Sequence, residues 1–333
     1  MIAVQSYAVA VALSLVTMLC WGSWANTQKL ASREWRFQLF YWDYAVGVLL
    51  ISAVLALTMG SAGSAGRPFL ADLAQAAATP LMLAMLGGAI FNFSNIVLVA
   101  AVDIAGLAVA FPLGIGLALI IATITNYLAN PVGHAGLLCA GVACVVVALL
   151  ADGVAYRRLP AEGGRTPAKG FVLSVIAGVS MGLFYRFVAA SMSADVIHPE
   201  PGTLTPYTAV VVFSLGVVLS NFLFNTVMMA KPVVGDPIPI LDYFRKGTLA
   251  RHSIGILGGA IWGLGMVLSI LSAGPAGYAI SYGLGAQGGT MVAALWGVLV
   301  WKEFKAAPPG TNGLLALMFI FYVLGLVLVI LAR

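Results

Sequence analysis

The sequence predicts an all-α integral membrane protein with ten transmembrane helices, arranged as two inverted five-helix repeats. Of its 333 residues, 62% are hydrophobic and only 8% are charged, too few polar groups to cover a water-facing surface. The apolar residues fall into ten separate runs, and the hexapeptide at 86–91 recurs almost unchanged at 257–262. A repeat spaced by about half the chain indicates one unit written twice.

Each apolar run is long enough to cross a bilayer, because a hydrocarbon core of about 30 Å needs roughly 20 residues of helix. A helix also satisfies its own backbone hydrogen bonds, which lipid cannot do. The first run lacks the basic start of a signal peptide, so we interpret it as a span of the mature protein. The predicted spans cover 7–24, 40–59, 81–102, 106–128, 135–154, 171–190, 207–229, 254–271, 276–301 and 314–331.

A polar linker with turn residues divides the chain. We predict a first repeat over 1–154, a cytoplasmic linker over 155–169 and a second repeat over 170–333. Thirteen of the sixteen Lys and Arg residues lie in the odd-numbered loops, counted from the N-terminus. The positive-inside rule therefore places the odd loops in the cytoplasm and both termini outside the cell membrane.

The repeated hexapeptide reads LGGAIF in the third predicted span and LGGAIW in the eighth, and Ala105-Gly106 recurs in register as Ala276-Gly277. Because five spans separate the copies and five is odd, the copies face opposite ways. Two inverted five-helix units are the architecture of many secondary transporters. Alternating access uses that symmetry, since two gates built alike can exchange conformations. The repeat therefore favours a transporter over a receptor, a scaffold or an enzyme.

Helix-weakening residues occur at corresponding places in the two halves. The fourth span contains Pro112 and Gly114, and the ninth contains Gly283 and Gly285. Interruptions at matching places point to a binding site at the membrane midplane, because unwound backbone there can contact a ligand. Close packing of helices through small residues is the alternative.

Three amide side chains within the predicted spans are candidate ligands of a neutral polar substrate. Asn92 and Asn95 are three residues apart and so share a helix face, and Gln287 lies in an otherwise apolar stretch. Amides can both donate to and accept from such a substrate. Hydrogen bonds between helices, worth about 0.6 to 2 kcal/mol in membranes, are the alternative.

Aromatic residues recur near the ends of spans and beside the second hexapeptide. A stacking wall for a planar ligand is one interpretation, and an aromatic belt at the bilayer surface is the other. The candidates are Trp21, Trp24, Trp262 and Tyr282.

Asp43 is the carboxylate that begins a predicted span. An intramembrane acid is a candidate proton or ion site, whereas an aspartate at a helix start can be an N-cap. Asp152 and Glu303 lie at span ends, where we expect solvated or interfacial charges. All three histidines are predicted in loops, and the sequence holds no metal site, cofactor motif, catalytic motif or nucleic-acid-binding face.

Several short segments, in matching order over nearly the whole chain, resemble one known family. They are Cys20-Trp21-Gly22-Ser23-Trp24, Asp43-Tyr44, the stretch from Gly87-Gly88 to Asn95, Asn126-Tyr127, Gly277-Tyr278, and Trp296-Gly297-Val298-Leu299 with Glu303. Together these segments resemble the ureide permeases, a family within the drug/metabolite transporter superfamily.

The resemblance implies a ten-helix carrier that imports allantoin and related heterocycles such as uracil and xanthine, generally with proton coupling. It also implies that Asp43, Asn95, Asn126 and Tyr127 are family positions. The central loop departs from the pattern, because it is short and lacks the nucleotide-like motif of plant members. A sugar–proton symporter of the rhamnose, glucose or ribose type and a drug or metabolite exporter remain the alternatives.

Overall fold

A computed structural model describes residues 1–31, 35–159 and 168–333, without the side chains of residues 107 and 108. Much of the predicted linker at 155–169 therefore lies outside the described residues. Within them the regular secondary structure is helical, apart from one isolated bridge between Met192 and Leu204. The helices are α1 (Tyr7–Ser23), α2 (Ala25–Leu30), α3 (Phe37–Leu57), α4 (Phe69–Gln75), α5 (Ala78–Ala105), α6 (Leu107–Ala129), α7 (Ala135–Arg157), α8 (Ala168–Ser191), α9 (Pro206–Ala230), α10 (Asp242–Arg245), α11 (Leu249–Ala276), α12 (Tyr278–Leu295), the π-helix Trp296–Val300, and α13 (Thr311–Ile330).

Ten helical segments of the described chain are long and apolar enough to cross a membrane, which confirms the predicted fold class. Helix α1 joins α2 to form the first, and α12 joins the π-helix to form the ninth. Five spans begin at least three residues earlier than the hydropathy predicts, namely α3, α5, α8, α11 and α13, and the difference is largest for α11, which starts at Leu249. Polar residues in these first turns hide the true start from a search for apolar runs.

The contacts between helices are repeated when each helix of one half is replaced by its counterpart in the other half. Helix α5 packs on α8 and α9, and α11 packs in the same way on α1 and α3. Helix α6 contacts α8 as α12 contacts α1, while α7 and α13 contact each other. Each pair of one half thus has its counterpart in the other. This is the pattern expected of the predicted repeat, whose inversion across the membrane stays a prediction.

The hexapeptide glycines let helix backbones approach closely. A Cβ atom added at Gly88 would lie 2.0 Å from the carbonyl oxygen of Phe213 on α9. At Gly259 it would lie 1.9 Å from the carbonyl oxygen of Tyr44 on α3. Side chains cannot fit at either place, and small residues are the usual means of close packing between membrane helices. The repeated motif therefore joins α5 to α9 and α11 to α3.

The last residues of the two hexapeptides meet inside the bundle. The rings of Phe91 and Trp262 stack with centroids 4.2 Å apart and planes inclined by 28°. Both side chains are buried. The two copies of the motif thus converge on one aromatic contact between α5 and α11.

The helix interruptions predicted at Pro112, Gly114, Gly283 and Gly285 are wrong, because α6 and α12 run through these residues unbroken. Pro112 lies in the second turn of α6, where it removes few hydrogen bonds. The glycines serve packing instead: Cβ atoms added at Gly114 and Gly285 would each lie 2.7 Å from a neighbouring side chain.

The actual interruptions lie between α5 and α6 and between α11 and α12. They fall at Gly106 and Gly277, whose φ angles are 74° and 85°. Glycine adopts this left-handed region without steric cost. The repeated Ala-Gly pair therefore marks a sharp helix-to-helix connection in each half.

Candidate functional site

A cavity of about 210 Å³ lies among α1, α2, α6, α7, α12, the π-helix and α13. It is at the end of the bundle that carries the odd-numbered loops, here called the odd-loop end. The side chain of Lys29 lines it and is 47% exposed, so the cavity reaches the surface. The lining includes the aromatic residues Phe111, Tyr156, Trp296, Trp301 and Tyr322 and the polar residues Asn26, Lys29, Asp152, Thr290 and Glu303.

The break between α1 and α2 and the π-helix shape one wall of this cavity. The indole of Trp296 donates to the Ser23 hydroxyl over 2.9 Å, and that of Trp301 donates to the Asn26 amide oxygen over 2.6 Å. The Lys29 ammonium lies 4.7 Å from the centre of the Trp301 ring, within range of a cation–π contact. Single-turn π-helices occur frequently at functional sites.

The two carboxylates of the cavity differ in their partners. Glu303 forms an ion pair with Lys29 and accepts a hydrogen bond of 2.5 Å from the Tyr156 hydroxyl. Asp152 is partly buried and accepts no hydrogen bond from any described residue. It is not simply a solvated span end, as the sequence suggested, because it lines the cavity from within α7. In the cavity, Glu303 is therefore already hydrogen-bonded, whereas the carboxylate of Asp152 is free to accept hydrogen bonds from a ligand.

The four predicted aromatic residues lie together, but next to the cavity and not on its wall. Trp21 stacks on Trp262 with centroids 5.8 Å apart and touches Tyr282 edge-on at 5.9 Å. Trp24 packs on Tyr44 at 4.8 Å. In this conformation the four rings pack against one another and against Tyr44, which leaves no gap for a ligand between them. Their chain neighbours Gly22, Ala25 and Asn26 line the cavity instead.

The predicted amides do not converge. Asn92 donates to Ser220 on α9 over 2.9 Å, and Asn95 donates to Tyr41 on α3 over 3.0 Å. Both are therefore hydrogen-bonded between helices, although the Asn92 oxygen has no partner among the described residues. Gln287 is 1% exposed, and neither of its amide atoms has a partner in the described chain. Of the three, Gln287 keeps its full hydrogen-bonding capacity.

Asp43 is not an N-cap, because α3 begins at Phe37 and Arg36 precedes it. The carboxylate is 1% exposed and lies beside Nδ1 of His252, at 2.9 and 3.1 Å from its two oxygens. It also accepts a hydrogen bond of 2.5 Å from the Tyr243 hydroxyl. The hydropathy predicts His252 in a loop, but the residue lies in the first turn of α11.

These groups form a partly buried polar cluster at the odd-loop end, which we call the Asp43 cluster: Asp43, His252, Tyr243 and Trp35. The Trp35 ring packs on His252 at 5.2 Å and on Tyr243 at 5.8 Å. Burial, and then the adjacent Asp43 carboxylate, raise the pKa of Tyr243 above its usual value. The phenol therefore remains a proton donor to Asp43 at neutral pH.

At the opposite end a network of polar residues joins two loops; we call it the even-loop latch and define it by Arg67, Asp72, Gln75 and Thr205. Asp72 is fully buried and accepts from the Arg67 guanidinium at 2.8 Å and from the backbone and hydroxyl of Thr205 at 2.8 and 2.9 Å. Arg67 also donates to three backbone carbonyls of the loop between α8 and α9. This even-loop latch joins the loop after α3 to the loop before α9.

The cavity residues Asp152 and Tyr156 were not predicted from the sequence as a site. One signal was present, since they are four residues apart and so share a face at the end of a span. The approach of Glu303 from the far end of the chain had no such local signal. His252 was missed because its helix begins with polar residues.

Comparison with known proteins identifies relatives over the whole chain. A sequence model of the family described as ureide permease matches residues 40–158 and 157–332. The chain is 23% identical to ureide permease 1 and 24% identical to ureide permease 2 of Arabidopsis thaliana, with 96% of each chain covered in both comparisons. A solved crystal structure superposes over 97% of this chain and 96% of its own, with a TM-score of 0.57 and 18% identity, and so shares the fold.

Proposed function

The chain belongs to the ureide permease family, and from this premise we propose that it is a secondary transporter that imports a small polar heterocycle, a ureide such as allantoin. The cavity at the odd-loop end is the observation that carries the proposal. A planar ligand with amide edges suits its aromatic walls and its mixture of donors and acceptors. Uracil and xanthine share these features and are candidate substrates as well.

One end of the bundle is open and the other is closed, which supports transport by alternating access. One end holds a cavity that reaches the surface, while the even-loop latch joins the loops at the other. A carrier needs a conformation of this kind, open to one side at a time. We propose that exchange of two inverted five-helix halves, 1–154 and 170–333, produces the other conformation. The exchange pattern of helix packing supports this.

The basic residues of the odd loops support a cytoplasmic location for the odd-loop end and an external location for both termini. In that orientation the conformation described here would release substrate to the cytoplasm. Labelling of single cysteines in intact cells tests the orientation, because an impermeant reagent should reach Ser61→Cys in the even-numbered second loop and not Lys305→Cys in the ninth.

We propose that substrate import is coupled to protons through Asp43. Ionisable groups inside membrane spans often mark proton pathways. The contact with His252 supports a proton role over a cap, since an acid and a base within hydrogen-bond distance can share a proton,. The predicted substrate residues Trp21, Trp24, Asn92, Asn95, Trp262, Tyr282 and Gln287 would then act deeper in the pathway than the cavity does.

Uptake into proteoliposomes tests the proposed function. The purified protein should accumulate radiolabelled allantoin when the outside is acidic, and the label should leave when a protonophore collapses the gradient. Uracil, xanthine, rhamnose and ribose complete the substrate panel. Uptake of a sugar without uptake of any heterocycle would refute the proposal in favour of a sugar symporter. Drug resistance of expressing cells without any uptake would indicate an exporter.

A further inference from the structure

We propose that Asp152 determines substrate specificity, by accepting two parallel hydrogen bonds from an open-chain ureido group, –NH–CO–NH2. The proposal deepens the proposed function and rests on it, because it concerns the ligand of the same cavity. Asp152 would distinguish substrates that carry this group from nucleobases and other heterocycles that have amide groups only within a ring.

The position of Asp152 supports this role. Its carboxylate lines the cavity and has no hydrogen-bond donor among the described residues. Glu303, the other carboxylate, already has Lys29 and Tyr156 as partners. A carboxylate without a donor in a cavity that reaches the surface binds water until a ligand with N–H groups replaces it. Asp152 is therefore the available acceptor for a neutral ligand.

The chemistry of the ureido group matches a carboxylate. In an extended ureido group, one N–H of each nitrogen points away from the carbonyl, and the two are parallel. Their spacing allows one bond to each carboxylate oxygen, as in the paired bonds between arginine and carboxylate. In a cyclic amide such as hydantoin or uracil, the two ring N–H groups point to different sides of the ring. Such a ring can offer a carboxylate only one of them at a time.

The neighbours of Asp152 would hold the rest of such a ligand. Trp296 and Trp301 provide flat aromatic surfaces, and both are fixed by indole hydrogen bonds to the α1–α2 segment. The Lys29 ammonium offsets the charge of Glu303. The cavity therefore presents one carboxylate to an uncharged ligand between aromatic walls, a setting in which a paired hydrogen bond discriminates strongly.

Allantoin and hydantoin form a matched pair of probes, because they share one ring and only allantoin has the ureido side chain. The purified protein in detergent should bind allantoin more tightly than hydantoin. Asp152→Asn keeps the size of the side chain but turns a donor toward the ligand. We expect it to weaken allantoin binding about ten- to a hundred-fold, the usual loss for a hydrogen bond to a charged group. Hydantoin can lose only one hydrogen bond to the carboxylate, so its binding should weaken less than that of allantoin.

Asp103→Asn is the matched control, since Asp103 is an exposed carboxylate of α5 outside the cavity. It should bind both probes as the unchanged protein does. Asp152→Glu retains the charge, and should recover part of the allantoin preference if the carboxylate is the essential group. Thermal unfolding at the temperature of the unchanged protein shows that each variant is folded.

Two outcomes would overturn the specificity proposal. One is equal binding of allantoin and hydantoin by the unchanged protein, and the other is unchanged allantoin binding by Asp152→Asn. If that variant also fails to accumulate allantoin in a pH gradient, Asp152 belongs to the proton pathway instead. If the unchanged protein binds neither probe and transports no heterocycle, the proposed function itself fails.

Discussion

Replacement of Asp72 by alanine should open the even-loop end of the protein. In the conformation described here this carboxylate is fully buried and accepts from Arg67 at 2.8 Å and from two groups of Thr205. Its removal leaves those donors without their acceptor. If the latch holds only while this end is closed, the substitution destabilises that conformation and leaves the opposite one unaffected.

The size of the effect follows from the contacts. Loss of one partner from a buried ion pair costs about 3 to 5 kcal/mol. The lower value applies, because the Arg67 side chain is 22% exposed and keeps its three backbone acceptors. Since 1.4 kcal/mol corresponds to a factor of ten, the equilibrium between the two conformations should shift about a hundred-fold.

Cysteine accessibility measures this shift. In a background with Cys20, Cys139 and Cys144 replaced by serine, one new cysteine at Thr208 reports on the space behind the latch, where the side chain is fully buried. A second at Ala294 reports on the cavity. With Asp72→Ala, a hydrophilic maleimide should react faster at the first position and more slowly at the second.

The control substitution is Glu200→Gln, because this side chain is exposed and only the backbone carbonyl takes part in the latch. It should leave both reaction rates unchanged. If Asp72→Ala unfolds at the usual temperature and the cysteine at Thr208 stays unreactive, the latch does not control the conformation and the reasoning is refuted.

Two further predictions concern packing and coupling. Gly88→Ala and Gly259→Ala should each destabilise the fold by about 1 to 3 kcal/mol through overpacking. Gly313→Ala, with open space around it, should not. If all three variants unfold at the same temperature, the close approach of the helices is contradicted. Asp43→Asn should exchange labelled for unlabelled allantoin but fail to concentrate it in a pH gradient, and His252→Gln should do the same. Accumulation that persists in the Asp43 variant would remove it from the proton pathway.

The fold could be predicted from the sequence because its cause is local. Any run of about twenty apolar residues in lipid must be a helix, whatever its neighbours are. The starts of α3 and α11 could not be predicted in this way, since their first turns carry polar residues: Gln38 in α3, and Arg251 and His252 in α11. Asp43 and His252 are 209 residues apart in sequence and touch only because these two helices pack on each other.

The site was harder to predict for the same reason. The amides of Asn92 and Asn95 share a helix face, but the face alone does not say which helix packs there. The structure gives each a different interhelical partner. The cavity needs residues from both ends of the chain, such as Lys29 and Glu303. No pattern within one helix encodes that meeting.

The stacked pair of Phe91 and Trp262 has a consequence for the origin of the chain. If the two halves descend from one gene, these positions would have faced each other in an ancestral dimer, as a residue on the two-fold axis of an isologous interface faces its own copy. A change there would have altered both sides at once. On that origin, a gene fusion would let each side vary alone, so that phenylalanine could come to stack on tryptophan with centroids 4.2 Å apart. The same freedom would let Asp43 and His252 arise in a single copy.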